Sequence, residues 1–134
     1  MWKKLFKKSN PTIEEPNKIQ IIGWSEYDEK ESIGTTGTEN GKIIKDIEHS
    51  DGARITLEKD CGNIPFAITI GIYGLIFHTV YLSYFYEADD LIQQLKSIIE
   101  EIFNLYNCPE EQRDEEWHNK HDEFVNQIVE AGPK

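Results

Sequence analysis

Cysteine is scarce in this chain, which has only Cys61 and Cys108 among its 134 residues. The two lie 47 residues apart, and neither belongs to a CxxC pair. Small secreted domains usually carry several cysteines in a disulfide framework, and no such framework can be read here. We therefore expect two free thiols in a reducing, cytoplasmic compartment.

Basic residues are also few, with 14 Lys and Arg against 25 Asp and Glu, for a net charge of −11. Nucleic-acid binding requires Lys and Arg to neutralise phosphates, so we expect no nucleic-acid partner. The acidic balance favours a basic protein partner or simply good solubility. The glycine-rich stretch at residues 33–42 lacks the GK[ST] spacing of a phosphate loop, and no cofactor is indicated.

Four of the basic residues lie in Met1–Lys8, together with Trp2, Leu5 and Phe6. No long apolar stretch follows them, so this segment is not a secretory signal. A peripheral membrane protein anchored through residues 1–8 is one alternative, but eight residues are too few to hold a protein on a membrane alone. We expect no membrane contact. Residues 1–17 are interpreted as a basic N-terminal segment and linker, and residues 18–134 as a single α+β domain.

Only one stretch is both long and free of charge, the 26 residues from Cys61 to Tyr86, if His78 is neutral. Its length would suffice for a membrane helix. Pro65, Gly71 and Gly74 interrupt it, however, and its Ile, Val, Thr, Tyr and Phe content is typical of strands. We therefore predict two buried strands joined near Tyr73-Gly74.

The two predicted strands differ in their faces. In the first, Phe66, Ile68, Ile70 and Ile72 form a core face, whereas the opposite side chains are small. In the second strand, both faces are apolar. Strands of that kind usually lie in the centre of a sheet and are covered on both sides, so we predict a central position.

The remaining pattern completes the fold. Strands are predicted at residues 18–24, 33–38, 42–48 and 53–59, with a two-residue type I′ hairpin at Asn40-Gly41 and the same turn signal at Asp51-Gly52. Helical periodicity then runs from Glu87 to Tyr106, and a second helix is predicted to begin at Pro109. The fold class is α+β: an antiparallel meander sheet of five or six strands followed by two C-terminal helices packed on one face.

The second predicted helix offers a weak metal-binding pattern. Asp114 and His118 are four residues apart and His118 and His121 are three apart, so their side chains share a helix face and could chelate a divalent cation. Cys108 and His49 are the only further ligand candidates. The simpler interpretation places His121 on the packed face and His118 in solvent, and likewise makes His78 a buried core histidine. A small metal-binding protein or enzyme built on His118 and His121 is therefore an alternative.

The stretches ARITLEKD, PFAITIGIYGLIFHT, YLS and EADDLIQQL resemble a set of short bacterial proteins of uncharacterised function. The resemblance covers Ala53 to Leu105 and implies a fold rather than an activity. The size, acidity and predicted α+β layout are also similar to those of bacterial immunity proteins, which neutralise a cognate toxin. That likeness is one of architecture alone.

These observations favour a non-enzymatic acidic binding protein, and the immunity resemblance implies a basic toxin as its partner. We expect electrostatic steering onto an acidic face, with tyrosines as anchors. The aromatic residues between Tyr73 and Tyr86 exceed what one sheet face needs, so some are expected at the surface unless they fill the core against the helices. The candidate partner-binding residues are Glu26, Asp28, Glu29 and Glu31 in an acidic loop at residues 25–32, or Glu111, Glu115 and Asp122 on the second predicted helix, with Tyr84 and Tyr86 as candidate anchors. A homodimer is also possible on this sequence.

Overall fold

The computed structural model describes residues 23–132, and the predicted basic segment and the start of the first predicted strand lie outside them. Five antiparallel strands form one sheet in the order β1-β2-β3-β4-β5. They are β1 Trp24–Glu26, β2 Lys42–His49, β3 Ala53–Cys61, β4 Ile64–Ile72 and β5 Ile76–Leu82. Two C-terminal helices follow, α1 Tyr86–Leu105 and α2 Glu115–Val129. The predicted α+β meander is confirmed.

The hairpin turns follow the sequence signals in two places and depart from them in a third. Gly74, with φ of 80°, completes the predicted turn between β4 and β5. Gly52, with φ of 110°, does the same between β2 and β3. The type I′ hairpin at Asn40-Gly41 is wrong, because Asn40 alone takes a positive φ and its N–H donates to the Gly37 carbonyl at 3.1 Å. Residues 33–38 form no strand and contribute one bridge to β2.

The second helix begins later than predicted. Pro109 precedes a short 3₁₀ turn, Glu110–Gln112, and α2 starts only at Glu115. Asp114 is the N-cap, and its carboxylate accepts the Trp117 N–H at 2.9 Å. A side-chain acceptor at this position satisfies a free backbone donor of the first turn, which explains why the helix starts here.

Both helices lie on one face of the sheet, as the sequence indicates. α1 contacts β3, and α2 contacts α1 and β5. The core between the layers is aliphatic, and it includes Ile47, Ile55, Leu57, Ile68, Ile70, Val80 and Leu82 from the strands and Leu91, Ile92, Leu95, Ile99, Ile102 and Ile128 from the helices. Among residues 23–132, no helix is long and apolar enough to cross a membrane.

The prediction that the second apolar strand is central is wrong. β5 is the last strand of the sheet, and on its outer edge no strand of the described chain pairs with it. Its helix-side residues Val80 and Leu82 are buried, but on the other face Phe77 is 71% exposed and Tyr81 is 48% exposed. The apolar character of that face therefore reflects something other than burial in the core.

Candidate binding site

The sheet face opposite the helices carries an organised set of polar side chains. One row crosses four strands through Asp46, Thr56, Thr69 and Thr79, which the strand register places side by side. The Thr69 and Thr79 hydroxyls are 3.3 Å apart, within hydrogen-bond distance. β-branched threonine suits a strand while supplying a hydroxyl group, so this row forms a polar floor.

A cavity of about 840 Å³ lies on this floor. On one side it is bounded by the loop that precedes β2, and on the other by the hairpin between β4 and β5. Gly71 lies in the floor between Arg54 and Phe77, and its lack of a side chain leaves the space open. The lining is polar at Ser32, Thr35, Thr36, Thr38, Arg54, Thr56, Glu58 and Thr69, aromatic at Tyr73 and Phe77, and aliphatic at Ile43, Ile72, Leu75 and Ile76, with Gly37, Gly71 and Gly74 completing it. Its volume is within the range of small-ligand and peptide side-chain pockets.

Asp46 is fully buried beneath one end of the cavity and is completely hydrogen-bonded. The Arg54 guanidinium donates to its two oxygens at 2.9 and 2.6 Å, Ser32 Oγ donates at 2.8 Å, and Thr56 Oγ1 donates at 3.0 Å. The hydrogen bond to Asp46 raises the pKa of Arg54. Because Ser32 belongs to the loop, this cluster ties the loop to the sheet.

A second buried carboxylate, Glu58, is part of the cavity lining. Its Oε1 accepts the backbone N–H groups of Glu39 and Gly41 at 3.1 and 3.0 Å. Gly37 packs so closely that a Cβ there would overlap the carboxyl group. No Lys or Arg of the described chain forms an ion pair with Glu58, and the hydrogen bonds to its carboxyl group come from backbone N–H groups.

Aromatic side chains form the outer rim of the cavity. Tyr73 is 63% exposed, and Phe77 stands beside it across the hairpin turn. Tyr81 donates from its hydroxyl to Glu39 Oε1 at 2.8 Å, and this hydrogen bond raises the pKa of Tyr81. Tyr73 and Phe77 line the cavity, whereas the Tyr81–Glu39 pair lies outside its lining on the same sheet face.

The acidic loop predicted as a partner surface borders the same face. Tyr27 lies over Arg54, whose guanidinium carbon is 3.5 Å from the ring centroid. The next residues, Asp28, Glu29 and Lys30, all have positive φ of 51–71°, a conformation that side chains disfavour. Glu26, Asp28, Glu29 and Glu31 are exposed. The loop thus holds its carboxylates in solvent next to the cavity.

The other acidic candidates lie elsewhere. Glu111, Glu115 and Asp122 are exposed on the helical hairpin, which belongs to the opposite layer of the fold. Tyr84 and Tyr86 are exposed at the corner between β5 and α1, where their rings stack at 5.4 Å. The candidate residues therefore lie in three separate places, and of these only the acidic loop borders the cavity.

The residues of the predicted metal site have other partners. His121 Nε2 lies 2.6 Å from the Tyr106 hydroxyl, and its ring stacks on Trp117 at 5.1 Å. Asp114 caps α2, and His118 is exposed. Among residues 23–132, no three His, Cys, Asp or Glu side chains are placed to hold a metal ion. The metal site stays a prediction without a coordinating geometry.

His49 and His78 occupy the helix-covered face. His49 is buried and accepts the Asp51 N–H on Nδ1 at 3.0 Å, so its Nε2 carries the proton and donates to Glu100 at 2.8 Å. Trp24 Nε1 donates to the same Glu100 oxygen at 3.1 Å. These bonds connect β1 and β2 to α1. His78 is only half-buried, contrary to the expectation of a buried histidine.

Sequence reasoning missed Asp46, Arg54 and Glu58. The alternation of β3 predicts that Arg54, Thr56 and Glu58 point away from the core, which is correct, but it does not show that a loop covers them. One signal was present, because Gly37 and Gly41 flank the loop at positions where a side chain would collide with Glu58 or Cys61. Comparison of the chain with protein-family models, curated proteins and solved structures gives no match.

Proposed function

We propose that this chain is a non-enzymatic binding protein that receives a basic segment of a partner protein on the uncovered face of its sheet. The observation that carries the proposal is the cavity itself, with a threonine floor, an exposed aromatic rim and negatively charged surroundings. Helices close the opposite face with an aliphatic core, so this face is the one that is free to bind.

Charge supports a basic partner. Arg54 contributes little positive charge to the cavity because Asp46 neutralises it at hydrogen-bond distance. Glu58 has no Lys or Arg partner among the described residues, and Glu39 and the exposed carboxylates of the acidic loop lie on the same side of the sheet. The whole chain carries a net charge of −11. A Lys or Arg side chain entering the cavity would meet an attractive potential.

The aromatic rim supports a protein partner. Large aromatic side chains dominate the binding energy of protein interfaces, and exposed ones cost solubility when they bind nothing. Tyr73 and Phe77 also offer ring faces to a cation, and such contacts contribute about 0.5–1 kcal/mol at exposed sites. A basic segment would therefore find its side-chain charge and its apolar stem both accommodated.

Neutralisation of a basic toxin is the most concrete form of this proposal. Its support is limited to the acidity, the small α+β architecture and the resemblance to immunity proteins. A cytoplasmic location fits this role. The binding site proposed here does not depend on the partner being a toxin.

The test compares two tyrosines of similar exposure, Tyr73 at 63% and Tyr84 at 57%. The C-terminally tagged protein and its Tyr73→Ser and Tyr84→Ser variants are purified gently from the native host, and the co-purifying proteins are quantified. We expect one basic protein in stoichiometric amount with the wild type and Tyr84→Ser, and its loss with Tyr73→Ser. Retention by Tyr73→Ser and loss with Tyr84→Ser would move the site to the β5–α1 corner. Absence of any basic partner would contradict the proposal.

The same assay distinguishes the contributions of the two acidic clusters to partner binding. Replacing Glu26, Glu29 and Glu31 by Gln should weaken partner binding about tenfold at low salt, since rim charges act mainly on association. Replacing Glu111 and Glu115 by Gln and Asp122 by Asn removes the same formal charge from the helical layer and should leave binding unchanged. Wild-type binding should weaken as salt rises. Equal effects of both sets would show that only net charge matters.

A further inference from the structure

The outer edge of β5 pairs with no other strand of the described chain. β5 pairs with β4 on one side only, and its seven residues, Ile76–Leu82, carry no formal charge if His78 is neutral. An unpaired edge presents a row of backbone N–H and C=O groups that another strand can bind. Soluble proteins usually protect such edges with charged side chains, proline, bulges or short length.

The opposite edge of the sheet has that protection. β1 has only three residues, ends in Glu26 and is followed by the left-handed turn at Asp28–Lys30. β5 has none of these devices: it is longer, lacks proline, and its pairing with β4 is regular from Phe66–Leu82 to Ile72–Ile76. One edge of the sheet is therefore closed to pairing, whereas the other is open.

We propose that β5 pairs antiparallel with β5 of a second copy of this chain, about a two-fold axis at Thr79. In this register Phe77 lies directly opposite Tyr81 of the second copy, and the same pair recurs on the other side of the axis. Directly opposed aromatic side chains are among the pairs that stabilise antiparallel sheets. These contacts would cover Phe77 and Tyr81, which the single chain leaves exposed.

Residue chemistry favours a second copy over a foreign basic strand. A basic strand would need acidic partners along β5, and β5 has no acidic residue. The strand is instead self-complementary, with apolar or uncharged side chains at every position that the two-fold axis brings together. The net charge of −11 opposes association of two copies, but none of that charge lies on β5.

The geometry has a consequence for the binding face. An antiparallel pairing of two identical edges continues the sheet without turning it over, so two five-stranded sheets would become one of ten strands. Both cavities would then lie on the same side. The dimer would present two equal sites to its surroundings, and a partner with two basic segments could occupy both.

The first experiment measures mass in solution by sedimentation or light scattering. We expect the wild type to have twice the 15.6 kDa chain mass. Phe77→Lys should be monomeric because it places a charge on the edge, and Tyr86→Lys, altered at an equally exposed aromatic of 71%, should stay dimeric. A wild type that is monomeric at about 1 mM protein, or a dimer that persists in Phe77→Lys, would overturn the proposal.

The second experiment tests the register by cross-linking in a Cys108→Ser background. Thr79→Cys alone should form a disulfide-linked dimer on mild oxidation, since the two positions meet at the axis. Phe77→Cys alone should not, because its copies would be about 13 Å apart along the strands, beyond disulfide reach. Mixing Phe77→Cys with Tyr81→Cys should restore the cross-link. Cross-linking of Phe77→Cys with itself would overturn this register.

The salt dependence of binding distinguishes dimerisation through β5 from the proposed binding of a basic partner. Screening weakens attraction between an acidic site and a basic partner, but it also weakens repulsion between two acidic chains. We therefore expect dimerisation to strengthen, or at least hold, between low and high salt while partner binding falls. Dimerisation that falls with rising salt would contradict an uncharged interface, whatever the result for the partner.

Discussion

The two faces of the sheet are built from the same strands but are closed in different ways. On one face, aliphatic side chains from β2 to β5 pack against α1 and α2 without a polar floor. On the other, a loop is tied to the sheet by hydrogen bonds to Asp46 and Glu58, and a large cavity is left open beside it. Packing stabilises the first face, whereas directional polar contacts shape the second. This difference makes the second face suitable for binding.

Loss of the Asp46 carboxylate should produce the largest effect. In Asp46→Ala, the side chains of Ser32, Arg54 and Thr56 lose their shared buried acceptor, and we expect the free energy of unfolding to fall by about 3–5 kcal/mol. Chemical denaturation measures this loss. Glu48→Ala, which removes a carboxylate from the same strand and face, should cost under about 0.5 kcal/mol. Equal losses would show that Asp46 has no special role.

The core face is tested by truncating a residue between the layers. Ile99 is fully buried on α1, and Ile99→Ala should destabilise the protein by about 2–5 kcal/mol because it leaves a cavity. Phe77→Ala removes a larger side chain from the uncovered face. At low protein concentration, where the chain is monomeric, it should change stability by about 0.5 kcal/mol or less. A similar loss of stability in Ile99→Ala and Phe77→Ala would mean that the second face is also a packed core.

Adding a side chain at a glycine of the loop should destabilise the protein by a smaller amount. A Cβ at Gly37 would collide with the Glu58 carboxyl group, so Gly37→Ala should displace the loop and cost about 1–3 kcal/mol. At Gly71 the nearest atom to a new Cβ is 3.7 Å away on Phe77, an ordinary contact. Gly71→Ala should therefore keep the stability of the wild type. A destabilisation by Gly71→Ala as large as that by Gly37→Ala would contradict the open floor.

The smallest expected change is in a titration. The hydrogen bond to Glu39 favours the neutral phenol and raises the pKa of Tyr81 above its ordinary value of 10.0. The stabilisation is thus complete below pH 10 and is lost as the pH rises through the higher pKa of the folded protein. In Glu39→Gln, phenolate absorbance should appear at lower pH than in the wild type. Superimposable titration curves would show that the bond does not form in solution.

Sequence patterns predicted one face of the molecule better than the other. The stripe on α1 and the Phe66–Ile72 alternation on β4 are read correctly because burial imposes a regular period on a helix or strand. The position of β5 was predicted wrongly, because a strand that is apolar on both faces has the same sequence pattern in the centre of a sheet and at its edge. Asp46 and Glu58 were missed because their loop partners are distant in sequence.

The sequence alone determined the class of the fold. A long charge-free run, glycines at the turns and two helical stripes after the strands left an antiparallel sheet with helices on one face as the consistent arrangement. Tertiary structure decided where the strands lie in the sheet, which acidic cluster borders a cavity and which aromatic side chains are exposed. Those properties depend on contacts between residues far apart in the chain. Local periodicity indicates that a side chain points away from the core, but it does not indicate which residues that side chain contacts.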